Sequence, residues 1–132
     1  MLGDYSNDYL RLDVLAGTPP IIRVTRLERR FEDVQALRQA WNEMLRALDG
    51  IDRRRHNLLV DTRMVPGRND SEFEAAFAPL RRELTRGFPK TAVLVQAVIG
   101  RLQAQRHIGA DGGTSRAFQS EQQALNWLRA VD

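Results

Sequence analysis

The chain has 132 residues, of which 42% are hydrophobic and 28% are charged, and these values are typical of one globular domain that buries a core of its own. It contains no cysteine, which excludes disulfide bonds, a thiolate nucleophile and a cysteine zinc site. The net charge is only +3, and the basic residues alternate with acids apart from the run Arg53-Arg54-Arg55, so nucleic-acid binding is not expected.

The chain opens with two predicted strands. Residues 1–132 are interpreted as a single domain in which residues 1–8 are a flexible N-terminus. Residues 9–15 alternate between apolar and polar side chains, which is the pattern of a half-buried strand. Gly17 and two prolines then predict a turn, and residues 21–26 predict a second strand that pairs antiparallel with the first.

Residues 32–48 change to the pattern of a helix. Their apolar side chains recur at steps of three and four residues and form one stripe of an amphipathic helix. Glu32 and Asp33 are predicted to lie in its first turn, where acids favour the helix dipole, and Gly50 follows its end.

The middle of the chain predicts a buried strand and a second helix. Residues 57–61 are a continuous apolar run that ends in Asp61, which is typical of a parallel strand covered on both faces. After a loop, Ser71 and Glu74 have the spacing of a capping box, and they predict a helix that contains Pro79 and closes at Gly87.

The last third predicts two more strands, each followed by a helix. Residues 91–95 and 115–118 are the strands, residues 97–106 are a helix, and a final helix starts at Ser120. The complete order is ββαβαβαβα. This alternation predicts an α/β fold with a mostly parallel central sheet, one antiparallel edge and helices packed against the sheet.

The predicted candidate site is the loop after the third predicted strand, because ligands of open α/β sheets bind beyond the carboxyl ends of strands. This loop carries Asp61, Arg63, Arg68, Asp70 and Ser71. The first N–H groups of the helix at Ser71 suit a phosphate or another anion, with the two arginines as bidentate partners. The same residues also suit a structural role, in which Asp70 or Ser71 caps the helix and the arginines pair with nearby acids.

No other pattern indicates a site. His56 and His107 are far apart in sequence and lack the spacing of metal ligands, so no metal and no cofactor are predicted. Residues 53–55 are interpreted as a solvated turn, with contact to an anionic surface as the alternative.

The N-terminus lacks the basic and apolar regions of a signal peptide, and no run approaches about 20 apolar residues. We therefore expect a cytoplasmic protein without membrane contact.

The element order resembles that of the STAS domain, named after sulphate transporters and anti-sigma-factor antagonists, and the resemblance covers nearly the whole chain from residue 9. STAS domains share a superfamily-level likeness with lipid-carrier folds of the SEC14 type. Residues 59–63, Leu-Val-Asp-Thr-Arg, and 100–103, Gly-Arg-Leu-Gln, also resemble uncharacterised bacterial STAS-like proteins.

This resemblance implies a role for the candidate loop. In antagonist-type STAS domains the corresponding strand ends in an aspartate, and the next helix starts with a serine that is phosphorylated; Asp61 and Ser71 match these positions. The family's loop usually reads Asp-Ser-Ser-Gly, whereas this chain reads Asp70-Ser71-Glu72-Phe73 and lacks the second serine and the glycine. Glu72 would also repel an incoming phosphate.

These observations favour a non-catalytic STAS-like protein-interaction or regulatory domain, controlled at that loop, with a protein partner such as a kinase or sensor. The alternative is a small-ligand or lipid-binding module whose pocket is bordered by Phe73, Phe77 and Phe88, which serve equally well as core. An enzyme using Asp61 and His107 is the least supported function. An edge strand near Tyr9 is a candidate for pairing across a two-fold axis in a homodimer.

Overall fold

The computed structural model describes residues 4–64, 71–96 and 114–130. The strands in this part of the chain are β1 (Tyr5–Ser6), β2 (Leu10–Leu15), β3 (Ile21–Arg26), β4 (Asn57–Asp61), β5 (Thr91–Leu94) and β6 (Ser115–Phe118). The helices are α1 (Val34–Ala47), α2 (Ser71–Thr85) and α3 (Glu121–Arg129), and Arg53–Arg55 form a short 3₁₀ turn. The helix predicted over 97–106 lies outside the described residues.

The described strands form one sheet in the order β1-β2-β3-β4-β5-β6. The pairs β1–β2 and β2–β3 are antiparallel, with Leu10 opposite Arg26 and Leu15 opposite Ile21. From β3 to β6 all neighbours are parallel. The predicted α/β class, with a mostly parallel sheet and an antiparallel edge, is therefore confirmed.

The strand β1 is an element that the sequence analysis did not predict. Tyr5 and Ser6 pair with Leu12 and Arg11 of β2, inside the segment 1–8 that we expected to be flexible. Because β1 comes first, the third predicted strand is β4 of the sheet. β1 also pairs with part of the edge near Tyr9 that we considered for a homodimer.

Two apolar layers hold the sheet, one on each face. Ile22 and Val24 of β3 and Leu58 of β4 pack with α1 and α2, whereas Ile21 of β3 and Leu59 of β4 pack with α3. Neighbouring residues of a strand thus enter opposite layers, as the two-residue period of a strand requires. This explains why β4 is buried at every position.

The start of α1 also differs from the prediction. Asp33 is the N-cap residue, and its side chain accepts a hydrogen bond of 2.8 Å from the N–H of Ala36. The helix begins at Val34, so Glu32 precedes it and no acid lies in the first turn. The cap replaces the dipole contribution that we predicted, because an aspartate side chain satisfies a free N–H directly.

The direction of the strands places the helix ends. Since β3 to β6 are parallel, α1, α2 and α3 start where these strands end, which we name the carboxyl end of the sheet. The same helices end beside the starts of the strands, which we name the amino end. These two ends carry the polar groups discussed below.

Candidate functional site

Asp61 and Thr62 fix the path of the chain as it leaves β4. Asp61 is 8% exposed and lies between Thr25 of β3 and Leu94 of β5 in the register of the sheet. Both the backbone N–H and the hydroxyl of Thr62 donate to the carbonyl of Leu94, at 3.0 and 2.7 Å. The first residues of the candidate loop are therefore held against β5 by hydrogen bonds.

Arg63 turns back onto Asp61. Its Nε and Nη2 donate to the two carboxylate oxygens at 3.0 and 2.9 Å, and its backbone N–H donates to Oδ1 at 3.1 Å. This is the bidentate pairing that arginine makes with carboxylates. Two of the donors that we considered for an exogenous anion are thus engaged by Asp61.

The pair belongs to a longer row of alternating charges. Nη2 of Arg63 lies 3.9 Å from Glu121 at the start of α3, and Glu121 lies 3.5 Å from Nη1 of Arg23. Arg23 in turn holds Asp13 of β2 through bonds of 2.6 and 3.1 Å. The row thus connects β2, β3, α3 and the residues after β4, and we call it the charge row.

The charge row shifts the pKa values of its members. Burial raises the pKa of Asp61, but the hydrogen bonds from the side chain and backbone of Arg63, with the positive charges of Arg63 and Arg23, outweigh it and lower the pKa overall. The hydrogen bond to Asp61 raises the pKa of Arg63, and the hydrogen bond to Asp13 raises the pKa of Arg23. Asp61 is therefore a stable carboxylate near neutral pH.

Thr25 adds a buried hydroxyl beside Asp61. The residue is 3% exposed, and its Oγ1 has no hydrogen-bond partner in the structure as described. Buried polar atoms usually have a partner, which is often an ordered water.

Ser71 lies at the other end of the candidate loop and is exposed. The helix α2 begins at this residue, so Ser71 occupies the first turn and not the N-cap position of the predicted capping box. Arg68 and Asp70 lie outside the described residues. The structure thus pairs Arg63 with Asp61 and places Ser71 in the first turn of α2.

The arginine run of residues 53–55 is not uniformly solvated. Nη1 of Arg53 donates to the carbonyls of Glu83, Leu84 and Arg86 at 2.6, 3.1 and 2.8 Å, and so caps the end of α2. Arg54 and Arg55 are exposed. The prediction of a solvated turn therefore fails for Arg53, because the end of α2 supplies carbonyl acceptors that the sequence does not reveal.

The remaining candidates have ordinary surroundings. Nδ1 of His56 lies 2.8 Å from the carbonyl of Asp52, and His107 is outside the described residues. Phe73 and Phe88 belong to the apolar cluster under α1 and α2, and Phe77 packs against that cluster. These three phenylalanines contribute to the core.

Sequence reasoning missed Asp13, Arg23, Thr25 and Glu121 as neighbours of Asp61. The register of the predicted hairpin offered one signal, since Asp13 and Arg23 are opposite charges on paired strands. Nothing local pointed to Glu121, which is far from the others in sequence and approaches through the docking of α3.

No family model and no curated protein matches the chain. A solved structure that resembles it is that of an uncharacterized protein of the DUF3478 family, with a SpoIIAA-like fold, from Shewanella loihica PV-4. The two chains are 16% identical, and the match has a TM-score of 0.68 and covers 96% of this chain and 99% of the other. At this identity the likeness shows the fold alone. The chain thus has a SpoIIAA-like, STAS-like fold, as the resemblance implied.

Within the described residues no helix is long and apolar enough to cross a membrane. The same residues contain no group of three or more His, Asp or Glu side chains arranged to hold a metal ion.

Proposed function

We propose that the chain is a non-catalytic STAS-like interaction or regulatory domain that is controlled at the loop after β4. Its contact surface is that loop and the first turn of α2. The observation that carries this proposal is the exposed position of Ser71 at the start of α2. In the sequence, Ser71 stands where antagonist-type STAS domains carry their phosphorylated serine.

The surroundings of Asp61 support a non-catalytic role. A general base has to be free to accept a proton near the working pH. The carboxylate of Asp61 instead accepts three hydrogen bonds from Arg63, and its pKa is lowered. Asp61 therefore acts as an anchor for the loop.

A phosphate on Ser71 would act on the surface more than on the fold. It adds a charge of about −1.5 to −2 at neutral pH. The N-terminus of a helix favours such a charge, whereas Glu72 and Glu74 in the same turn oppose it. Because these effects have opposite signs, the main result is a more negative surface for the partner to meet.

Affinity purification of the tagged chain from its native host, at physiological salt, tests this proposal. Wild type is compared with Ser71→Ala and Ser71→Glu, and the Ser71 peptide is analysed in the same mass-spectrometry run. We expect phosphate on Ser71 and a stoichiometric partner whose recovery differs about tenfold between the two variants.

Ser6 provides the matched control, because it is an exposed serine in β1. Ser6→Ala and Ser6→Glu should recover the partner as wild type does. The proposal fails if Ser71 is unmodified and both Ser71 variants retain the same partners as wild type.

A further inference from the structure

Within the described part of the chain, four exposed arginines at the amino end of the sheet have no partner for their side chains. Arg46, Arg82 and Arg129 lie in the last turns of α1, α2 and α3, and Arg54 lies in the 3₁₀ turn before β4. Among the described contacts, their guanidinium groups make no hydrogen bond, ion pair or ring contact. We name these four residues the arginine surface.

The end of α2 does not need these arginines. Basic residues are common in last turns, because they balance the negative end of the helix dipole. Here Arg53 already donates to three carbonyls at the end of α2. The side chains of Arg82 and Arg54 are therefore not needed to cap the end of α2.

The carbonyl groups at the end of α3 also accept hydrogen bonds from side chains other than the exposed arginine. Nζ of Lys90 donates to the carbonyls of Trp127 and Ala130, both at 3.1 Å, and the side-chain amide of Asn57 donates to the carbonyl of Leu128 at 2.6 Å. Arg129 thus remains exposed beside a helix end that other residues have capped.

The contacts of Arg53, Asn57 and Lys90 also hold the segments that carry Arg54, Arg82 and Arg129 at this end of the sheet. Arg53 joins the turn that carries Arg54 to the end of α2, and Asn57 and Lys90 join the strand starts to the end of α3. The arginine surface therefore belongs to one end of the molecule.

Acids at this end limit the kind of partner that fits. Asp52 pairs with Arg55 at 3.2 Å, Glu83 pairs with Arg86 at 2.9 Å, and Asp49 is exposed. These carboxylates interrupt the positive charge and would oppose a continuous phosphate backbone. A protein surface presents separate carboxylates, and arginine binds each of them with two parallel hydrogen bonds.

We propose that the arginine surface is a docking site for an acidic protein surface. It lies at the amino end of the sheet, away from the carboxyl end at which Ser71 starts α2. The proposal is independent of the function proposed for Ser71, and it gives the domain a second contact surface.

Poly-L-glutamate of about 50 residues serves as the probe, titrated into the full chain at low salt and followed by amide chemical shifts. We expect saturable binding that weakens as salt screens the charges, with shifts concentrated in residues 46–55, 82–87 and 127–130. The triple variant Arg54→Gln, Arg82→Gln and Arg129→Gln should bind about tenfold more weakly.

A second triple variant controls for net charge. Arg11, Arg30 and Arg38 are also exposed and make no side-chain contact within the described residues, but they lie elsewhere in the fold. Their replacement by glutamine removes the same charge and should weaken binding by no more than about twofold. Thermal unfolding of both triple variants verifies that each one is folded.

Three results would overturn the proposal. Equal weakening by the two triple variants would mean that net charge alone attracts the probe. Tighter binding of duplex DNA than of polyglutamate at this surface would identify a nucleic-acid site. A titration without saturable binding would leave the arginines as solvated side chains only.

Discussion

The two ends of the sheet satisfy their polar groups in different ways. At the amino end, Arg53, Asn57 and Lys90 donate to backbone carbonyls of helix ends, and Asn57 and Lys90 are buried. Towards the carboxyl end, the side chains of the charge row, which are partly exposed apart from that of Asp61, pair mainly with one another. Carbonyl acceptors keep their dipoles at every pH, whereas carboxylates lose their charge in acid.

This difference indicates which end of the sheet contributes more to stability and which end responds more to salt and pH. A buried carbonyl that loses its donor pays the full cost of desolvation, so the amino end should tolerate little change. An ion pair in contact with water contributes less and responds to salt and pH. The candidate switch thus sits at the end whose contacts are weaker and easier to modify.

The largest effect should come from Asn57→Ala. The side chain of Asn57 is 4% exposed, donates to Leu128 and accepts from the backbone N–H of Lys90. Its loss leaves two buried groups unsatisfied and should lower the free energy of unfolding by about 3 kcal/mol. Chemical denaturation measures this value.

Asn42→Ala, at an exposed position of α1, is the control and should change the free energy of unfolding by less than about 0.5 kcal/mol. Equal losses for Asn57→Ala and Asn42→Ala would contradict the role assigned to the buried hydrogen bonds of Asn57.

Arg53→Ala should have the next largest effect. It removes three hydrogen bonds to the end of α2, and we expect a loss of about 2 kcal/mol because the side chain is partly exposed. The neighbouring exposed residue gives the matched control, since Arg54→Ala should cost less than about 0.5 kcal/mol. Urea unfolding of both variants compares them. A similar loss for Arg54→Ala would contradict the capping role of Arg53.

Asp61→Asn should have the smallest effect and the only marked dependence on pH. The ordinary pKa of an aspartate is 3.8, and that of Asp61 is lowered by Arg63 against the opposing effect of burial. A lowered pKa in the folded state stabilises the protein above pH 3.8, and this contribution disappears as the pH falls through the folded-state value. We expect a loss of about 1 kcal/mol at pH 7 that shrinks below pH 3.8.

Unfolding of wild type and Asp61→Asn between pH 2.5 and 7 checks this prediction, with Asp49→Asn as the exposed control. A difference between wild type and Asp61→Asn that stays constant over this pH range would show that the charge of Asp61 contributes nothing. High salt should narrow the same difference at pH 7, because the pair is in contact with solvent.

Much of the fold was predictable because its signals are local. The strands at residues 21–26, 57–61 and 115–118 were predicted with the bounds that the structure shows. Their apolar patterns and flanking turns depend only on neighbouring residues. β1 was not predicted, because two residues are too few to show an alternation of apolar and polar side chains. They form a strand only by pairing with β2.

The positions of the candidate-site residues in the fold were predicted in part. Asp61 and Ser71 occupy the strand end and the helix start at which we expected them. The pairing of Arg63 with Asp61 was one of two alternatives that residue types left open, and the contacts with Glu121 and Arg23 were not foreseen. Such contacts depend on the geometry with which α3 packs on the sheet.

The sequence by itself determined the class of fold, the alternation of strands and helices, and the end of the sheet at which Asp61 lies, because periodicity and turn residues act over a few positions. Only the tertiary structure decided which charges meet. Asp13, Arg23, Arg63 and Glu121 come from four separate segments, and Arg53 reaches the end of α2 across 30 residues. A short-range pattern cannot specify these contacts, since they form only when packing brings distant segments within hydrogen-bonding distance.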